Sequence, residues 1–425
     1  MTIEQLYQVY QQHPHIQTDT RKLVPGELFF ALKGENFNGN LFAAQALQQG
    51  AAAVVVDEDT GIIDARIFQT DNVLTTLQDL ARFHRQQFSI PFLAITGSNG
   101  KTTTKELVHA VLSSHYRTYT TEGNLNNHIG IPLTLLKIKP DAEMAVVEMG
   151  ANHQREIAGY CTYALPNHGL INNVGKAHLE GFGGIEGVKK GKGELYDYIR
   201  ESNGTIFINN DLDYLQDMSK GISKRFTYGQ AESDITGHLL ESEPFLKVQI
   251  SSHPAIGTIA THLVGDYNLS NVLAAVAVGI YFSVPEYKIK SAIENYIPSN
   301  SRSQLITWKT NQVILDAYNA NPSSMKAAVE NFAKLHVQKK VLILGAMAEL
   351  GEDSLAEHQA LIDLIHQYPW EQVVLVGGDF LKLKHPFLSF TNATEARQWL
   401  QNQHIEQAHL LVKGSRSMKM EQVLQ

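Results

Sequence analysis

Residues 92–105, Phe-Leu-Ala-Ile-Thr-Gly-Ser-Asn-Gly-Lys-Thr-Thr-Thr-Lys, constrain the fold of this chain more than any other stretch. An apolar run passes through a glycine-bearing loop into a helix-forming segment that ends near Ser114. Such a strand–loop–helix unit builds a nucleotide triphosphate site. Gly97 and Gly100 let the backbone fold tightly, so that N–H groups along Gly97, Ser98, Asn99, Gly100, Lys101, Thr102 and Thr103 can face phosphate oxygens. The helix N-terminus adds positive potential. Lys101 is suited to neutralise β/γ-phosphate charge, and the Thr102 hydroxyl to ligate Mg²⁺. The general pattern has a glycine where this chain has Ile95, so the short string alone is a weak signal. The apolar run before it and the helical segment after it turn it into a phosphate loop for ATP.

A chain of 425 residues exceeds one ordinary core, and two or three domains are expected. Its net charge of −8, with no basic stripe to offset it, argues against a general nucleic-acid binder while allowing a local anion site. The start, from Met1 to Tyr7, has neither a cationic leader nor a long apolar run. No window approaches the roughly 20 apolar residues that span a bilayer. A cytoplasmic enzyme without membrane insertion, working as a monomer, is expected. The single Cys161 has no intrachain partner and reads as a small buried hydrophobe.

The pattern of elements predicts an α/β chain of three domains. Residues 1–88 carry short strands at 27–32 and 51–56 around a helix at 41–49, punctuated by Gly34, Gly39 and Gly50. Residues 89–297 alternate strands (92–95, 144–148, 169–172, 205–208) with helices (103–114, 188–199), then close with helices at 269–281 and 286–296. That alternation implies a mostly parallel sheet with ligands at the carboxyl ends of its strands. The polar, proline-containing stretch 297–302 is the second boundary. In residues 298–425 strands at 313–316, 341–344, 373–376 and 409–412 alternate with helices at 323–335, 354–367 and 395–403, which predicts a doubly wound, Rossmann-like domain.

Several residues at strand ends of this scheme carry chemistry. Glu148 closes an apolar strand and offers a hard oxygen to Mg²⁺, although an isolated strand-end Glu more often faces water. His178 lies in a glycine-flanked loop after a strand; beside Glu148 and a phosphate loop it becomes a metal candidate. The run Val188-Lys-Lys-Gly-Lys-Gly-Glu194 reads either as a solvated cationic face or, at Lys192, as an amine able to take up CO₂ and bridge two Mg²⁺ ions as a carbamate. Composition leaves both readings open. Asn209 and Asp211 follow another strand. Asn268 and Asn271 begin a helix, where Asn also serves as a cap. Asp316, and Lys413 with Arg416, close the first and last C-terminal strands, and the cationic pair suits a carboxylate or phosphate. His13, His15 and the other scattered histidines lack metal-ligand spacing.

Taken in order, eight segments resemble the ATP-dependent Mur ligases of peptidoglycan synthesis. They are 18–21 (Thr-Asp-Thr-Arg) with 25–34, the phosphate loop, 123–136 (beginning Gly-Asn-Leu-Asn-Asn-His), and 147–152 (Val-Glu-Met-Gly-Ala-Asn). The others are 177–180 with 191–194 (Gly-Lys-Gly-Glu), 318–322 (Tyr-Asn-Ala-Asn-Pro), 344–351, and 413–416 (Lys-Gly-Ser-Arg). The closest likeness is to the branch that joins D-alanyl-D-alanine to a UDP-N-acetylmuramoyl-tripeptide. The resemblance implies an N-terminal domain for the UDP end, a central ATPase and a C-terminal domain that closes over the site. It implies ATP and two Mg²⁺ ions, and an acyl phosphate on the tripeptide carboxylate.

Carried over residue by residue, Lys101 and Thr102 would serve ATP and Mg²⁺, with Glu148, His178 and carbamylated Lys192 as metal ligands. Asn268 would contact adenine, and Arg302 and Asp316 the phosphate and ribose. Asn124, Asn126 and Asn127 would line the peptide end. Asn319, Asn321, Lys413 and Arg416 would face the dipeptide or the acyl phosphate. Thr18, Arg21, Lys33 and Asn38 would lie near uridine and its diphosphate. The chain departs from many relatives at Asn38-Gly-Asn40, at Tyr267 before Asn268, and at Leu315 before Asp316. The nearest rival, the ligase that adds the third, diamino-acid residue, usually carries Asp-Asn-Pro-Arg, whereas Val376-Gly-Gly-Asp379 stands here. A non-catalytic nucleotide-binding scaffold is the rival from another class, and Lys101, Thr102, Glu148, His178 and Lys192 argue against it.

Overall fold

The computed structural model describes residues 2–299 and 301–425. Near the N-terminus four short strands form a parallel sheet in the order Ile16–Gln17, Leu28–Phe30, Ala53–Val56, Ile67–Gln69. Side chains alternate across it with the two-residue period of a strand. Phe29, Val54 and Val56 pack on Ala43 and Ala46, while Leu28, Phe30 and Val55 pack on Leu6, Tyr10, Leu77 and Leu80. The second set comes from two helices the sequence reading did not anticipate, Ile3–Gln12 and Val73–Arg85. The helix expected at 41–49 is a 3-10 turn, Gly39–Phe42, followed by a short helix, Ala43–Gln48.

Helix Val73–Arg85 joins this unit to the next by packing on Gly130–Leu136 and Glu156–Ala164. Its last residue supplies a polar anchor. The buried Arg85 guanidinium lies 3.6 Å over the Phe92 ring and donates to the carbonyls of Ala164 (3.1 Å), Leu165 (2.9 Å) and Phe88 (2.8 Å). Two of these carbonyls end a helix, where the backbone dipole favours a cation. Burial still pushes the guanidinium down to about 10.

The middle of the chain builds a nine-stranded sheet. Its order is Thr258–Ala260, Lys247–Ile250, Ile235–Glu241, Lys224–Gly229, Thr205–Asn209, His168–Ile171, Phe92–Thr96, Met144–Glu148, Thr118–Thr120. The first three strands pair antiparallel, an extension absent from the sequence reading, and the rest pair parallel. One face packs on helices Lys101–Ser113 and Leu269–Tyr281 through Leu107, Val108, Val111 and Leu273. The other packs on helix Ile185–Glu201 through Leu195, Tyr196 and Ile199. After strand Phe92–Thr96 the chain builds to one side of it and then, from His168, to the other. Such a reversal opens a crevice at the strand's carboxyl end.

The C-terminal sheet has six strands, ordered Gln304–Trp308, Asn311–Asp316, His409–Lys413, Lys340–Gly345, Gln372–Val376, Leu388–Phe390. Only the first pair is antiparallel. Leu342, Leu344 and Leu375 face Met325, Val329 and Phe332 of helix Pro322–Lys334. Val341, Ile343 and Val374 face Ala396 and Leu400 of helix Ala393–Asn402. Helices on both faces make this a doubly wound, Rossmann-like layer.

Replacing Arg85 with Ala leaves three carbonyls without their donor at the first domain joint. Loss of charged hydrogen bonds of this kind costs about 3 kcal/mol in total. Urea unfolding of the full chain is expected to shift accordingly; an unchanged midpoint contradicts the anchor.

Candidate active site

The loop after strand Phe92–Thr96 is held from behind by asparagines. Gly97 (φ 144°) and Gly100 (φ 77°) adopt conformations that side-chain-bearing residues rarely take. A Cβ at Gly97 would come within 2.9 Å of the Asn172 Cβ, and one at Gly100 within 2.7 Å of the Asn271 Oδ1. The Asn99 N–H donates to Asn173 Oδ1 (2.9 Å) and the Asn99 carbonyl accepts from Asn173 Nδ2 (3.1 Å). Beneath, Asn172 Nδ2 donates to Thr104 Oγ1 (2.7 Å), Thr104 Oγ1 to Asn271 Oδ1 (3.0 Å), and Asn271 Nδ2 to Asn268 Oδ1 (2.8 Å). Asn268 Nδ2 donates to the Val264 carbonyl (2.8 Å). Both amide atoms of Asn268 are thus engaged inside the fold, although its residue lines the cavity.

Lys101 opens the following helix and folds its amine back onto the Gly97 carbonyl at 2.7 Å. Burial holds the amine below the usual lysine range; Glu148 opposes that shift and Arg302 adds to it. Glu148 ends the adjacent strand, directly beside Ile95, and is buried. Its Oε1 accepts from Asn126 Nδ2 (2.7 Å) and its N–H donates to Thr121 Oγ1 (3.0 Å). Its Oε2 is buried with no hydrogen-bond partner among the described residues.

Lys192 belongs to the buried face of its helix, with Val188, Leu195, Tyr196 and Ile199, and is 1% exposed. That corrects the solvated-face reading for this lysine. Its Nζ donates to the Ala151 carbonyl (3.0 Å) and lies 5.0 Å from the Phe182 ring centre. Burial, and next the charge of Lys101, pushes its pKa well below the ordinary value, against the pull of Glu156 and Glu194. His178, at φ 53°, pairs through Nδ1 with Glu349 of the C-terminal domain. That contact holds the Glu349 carboxyl below its usual range.

The C-terminal domain supplies the facing wall. Lys413, almost wholly buried, bonds Asp316 Oδ2 at 2.5 Å, while Asp316 Oδ1 accepts from the Ser303 N–H (3.0 Å). The Arg302 guanidinium stacks 3.6 Å from the Tyr318 ring centre, and Arg416 approaches the same ring at 5.8 Å. Asn321 caps helix Pro322–Lys334 through Oδ1 and donates its Nδ2 to Asn99 Oδ1 of the phosphate loop at 2.8 Å.

A cavity of about 720 Å³ lies between these walls. It gathers Ser98, Asn99, Gly100, Lys101, Thr102, Thr103, Asn124, Asn126, Asn127, Glu148, His178 and Asn268 with Arg302, Asp316, Asn319, Asn321, Lys413 and Arg416. Gly97 and Lys192 stand behind its lining. Thr18, Arg21, Lys33 and Asn38 lie apart, at the carboxyl edge of the N-terminal sheet. There Lys33 pairs with Asp57 (3.1 Å) and Glu58 (2.8 Å), Asn38 donates to Glu58 (2.9 Å), and the exposed Arg21 pairs with Asp19 (2.8 Å). Sequence reasoning missed Asn173, Glu156, Tyr318 and Glu349 as cavity residues. Asn173 had a readable signal, since it directly follows the strand that the sequence predicts at 169–172.

The residues present fit a nucleotide polyphosphate with a cation. The loop is a glycine cradle at a helix N-terminus, and the unpartnered Glu148 oxygen is a hard acceptor beside it. Among the described residues no three His, Cys, Asp or Glu side chains gather as a ready-made metal cage. A cation here therefore needs phosphate oxygens, water, Thr102 or a modified lysine to complete its shell.

Fold and site together define a three-domain, phosphate-loop ligase. The chain belongs to the Mur ligase family: residues 14–85 match the Mur ligase family catalytic domain, 95–279 the Mur ligase middle domain, and 301–416 the Mur ligase glutamate ligase domain. It is 37% identical to the UDP-N-acetylmuramoyl-tripeptide–D-alanyl-D-alanine ligase of Escherichia coli, with 96% of this chain and 92% of that protein covered. A crystal structure of MurF from Acinetobacter baumannii superposes with a TM-score of 0.88 at 30% identity, covering 99% of this chain and 97% of that one. MurF ligase from Thermotoga maritima in complex with ADP gives 0.86 at 26%, covering 97% and 96%.

The Asn99–Asn321 bond is the direct tie between the phosphate loop and the closing domain. A double-mutant cycle with Asn99→Ala and Asn321→Ala, read as affinity for a non-hydrolysable ATP analogue, is expected to give a coupling of about 1 kcal/mol. Strict additivity contradicts the tie.

Proposed function

We propose that this chain is the ATP-dependent ligase that joins D-alanyl-D-alanine to UDP-N-acetylmuramoyl-tripeptide, giving the pentapeptide precursor of peptidoglycan. One observation carries the reading: a single cavity brings the phosphate loop and Glu148 of one domain against Arg302, Lys413 and Arg416 of another. The relatives bearing that activity in their names span nearly the whole chain.

A carboxylate is a poor electrophile, because its oxygen leaves badly. Its oxygen attacks the γ-phosphorus of ATP, ADP departs, and the resulting acyl phosphate carries a good leaving group. The amine of D-alanyl-D-alanine then adds to the carbonyl carbon. The tetrahedral adduct expels phosphate, leaving an amide and a proton. The first step forces two anions together, and offsetting their charge is the main catalytic task. Lys101 and the loop N–H groups neutralise the phosphates from one wall, and Lys413, Arg302 and Arg416 act from the other. Thr102, Glu148, His178 and carbamylated Lys192 would hold Mg²⁺, which would supply further positive charge beside the phosphates.

Lys192 is a carbamate in this reading. Its neutral amine adds to CO₂, forms an N–C bond and releases one proton, giving an anionic ligand where the fold otherwise buries a lysine. Asn268 serves adenine, with Arg302 and Asp316 on phosphate and ribose. Asn124, Asn126 and Asn127 take the peptide end, while Asn319, Asn321, Lys413 and Arg416 face the dipeptide or the acyl phosphate. Thr18, Arg21, Lys33 and Asn38 take the uridine diphosphate, which requires the acidic partners of Lys33 to rearrange. The domains run 1–88, 89–297 and 298–425. The enzyme acts as a cytoplasmic monomer, and no helix among the described residues is long and apolar enough to cross a membrane.

Phosphate release should require both UDP-muramoyl-tripeptide and D-alanyl-D-alanine; equal turnover with a diamino acid would sink the assignment. Lys192→Ala is expected to nearly abolish ligation, with partial rescue by small carboxylic acids. ¹³C-labelled CO₂ should give a carbamate resonance in the parent that this variant lacks. Full activity of the variant leaves Lys192 without a role in the reaction.

A further inference from the structure

His178 and Glu349 meet across the domain interface in unusual backbone conformations. Both are non-glycine residues in the left-handed region, at φ 53° and φ 61°. Such conformations persist where the surroundings impose them, and they cluster at functional sites. The Glu349 turn is fitted to the His178 segment: a Cβ on Gly351 would meet the Glu180 Cβ at 3.2 Å, and the Glu180 N–H donates to the Glu349 carbonyl at 3.4 Å. Both side chains line the central cavity. The imidazole is 19% exposed and the carboxylate 52%, so the pair lies at the mouth of the cavity and not in a sealed core.

The pairing uses only one ring nitrogen. Nδ1 contacts the Glu349 carboxylate, and Nε2 makes no hydrogen bond to the described residues. A carboxylate can only accept, so Nδ1 must carry the proton in that contact. The neutral ring then presents its lone pair at Nε2. Ligating histidines are commonly fixed in this manner by a carboxylate on the far nitrogen. Here the carboxylate comes from the other domain.

We propose that Glu349 is a positioning residue that fixes the His178 tautomer and ring orientation from the C-terminal domain, so that Nε2 is held ready for the cation when that domain is closed. The neighbouring contacts tie the same segment to the same domain. Lys176 pairs with Glu357, and its N–H donates to Ser323 Oγ at 3.0 Å, so the whole 176–180 segment docks on the C-terminal domain together. An open domain would leave His178 free to exchange tautomers and rotate. This inference rests on the assignment of His178 as a cation ligand.

The test uses the full chain with a non-hydrolysable ATP analogue and Mn²⁺ as the probe, comparing the parent with Glu349→Ala, Glu349→Gln and His178→Ala. Long-range ¹H–¹⁵N spectra of the analogue complex without divalent cation report the His178 tautomer, with its signal assigned by its loss in His178→Ala. The Nδ1–H form is expected in the parent and in Glu349→Gln, whose amide oxygen still accepts. In Glu349→Ala the tautomer preference should disappear, and Mn²⁺ affinity should fall about tenfold or more. Glu349→Ala that keeps the Nδ1–H form and binds Mn²⁺ within twofold of the parent overturns the proposal, as does an equal loss in the Ala and Gln variants. If His178→Ala itself leaves Mn²⁺ affinity unchanged, the ligand assignment is what fails. If only His178→Ala weakens binding, the assignment stands and the role of Glu349 falls.

Discussion

A buried oxygen without a partner among the described residues, Glu148 Oε2 at the floor of the cavity, is the constraint around which the site is arranged. Leaving an acceptor buried and unsatisfied costs about 1–3 kcal/mol, more when it bears charge. No described residue donates to it; Asn126 and Thr121 fix the residue in place through its other oxygen and its N–H. A strand end held this firmly, one strand from the phosphate loop, keeps a hard acceptor at the cavity wall. The same logic extends to Lys192, a lysine enclosed by Phe182 and Ala151 where an ammonium is poorly tolerated.

The second theme is that the reaction chamber belongs to no single domain. The phosphate loop is braced from below by the Asn172, Thr104, Asn271 and Asn268 chain and from the front by Asn321 of the C-terminal domain. Lys413 is kept in place by Asp316, so its charge is positioned by a residue from a neighbouring strand end of the same sheet. Excluding water matters here, because an acyl phosphate exposed to solvent would hydrolyse before the amine reached it. In the proposed reaction, closure of the C-terminal domain would protect the intermediate while assembling the cations that stabilise its formation.

Much of this was legible in the sequence because local pattern carries it. The phosphate loop, the Glu148 strand end and the Asp316 and Lys413 strand ends all follow apolar runs, and the fold places them in one cavity. Lys192 was readable too: Val188, Lys192, Leu195, Tyr196 and Ile199 share one face of a 3.6-residue helix, so a lysine on that face had to be buried. What escaped was long-range or weakly patterned. Glu349 stands 171 residues from His178, and Asn321 stands 222 from Asn99, so neither pairing leaves a local trace. The antiparallel extension around Ile235–Glu241 has exposed residues along much of one strand, which erases the apolar alternation that marks a strand. Lys33, which the resemblance assigns to the uridine end, is instead committed to Asp57 and Glu58, a pairing its own local sequence does not announce.

In the proposed reaction the tripeptide carboxylate is activated by direct attack of its oxygen on the γ-phosphorus of ATP. With that carboxylate labelled with ¹⁸O, mass spectrometry follows the label during ligation. One labelled oxygen is expected in the inorganic phosphate for each amide formed. Ligation at full rate with unlabelled phosphate would contradict it, because the carboxylate oxygen would then never have been bonded to phosphorus.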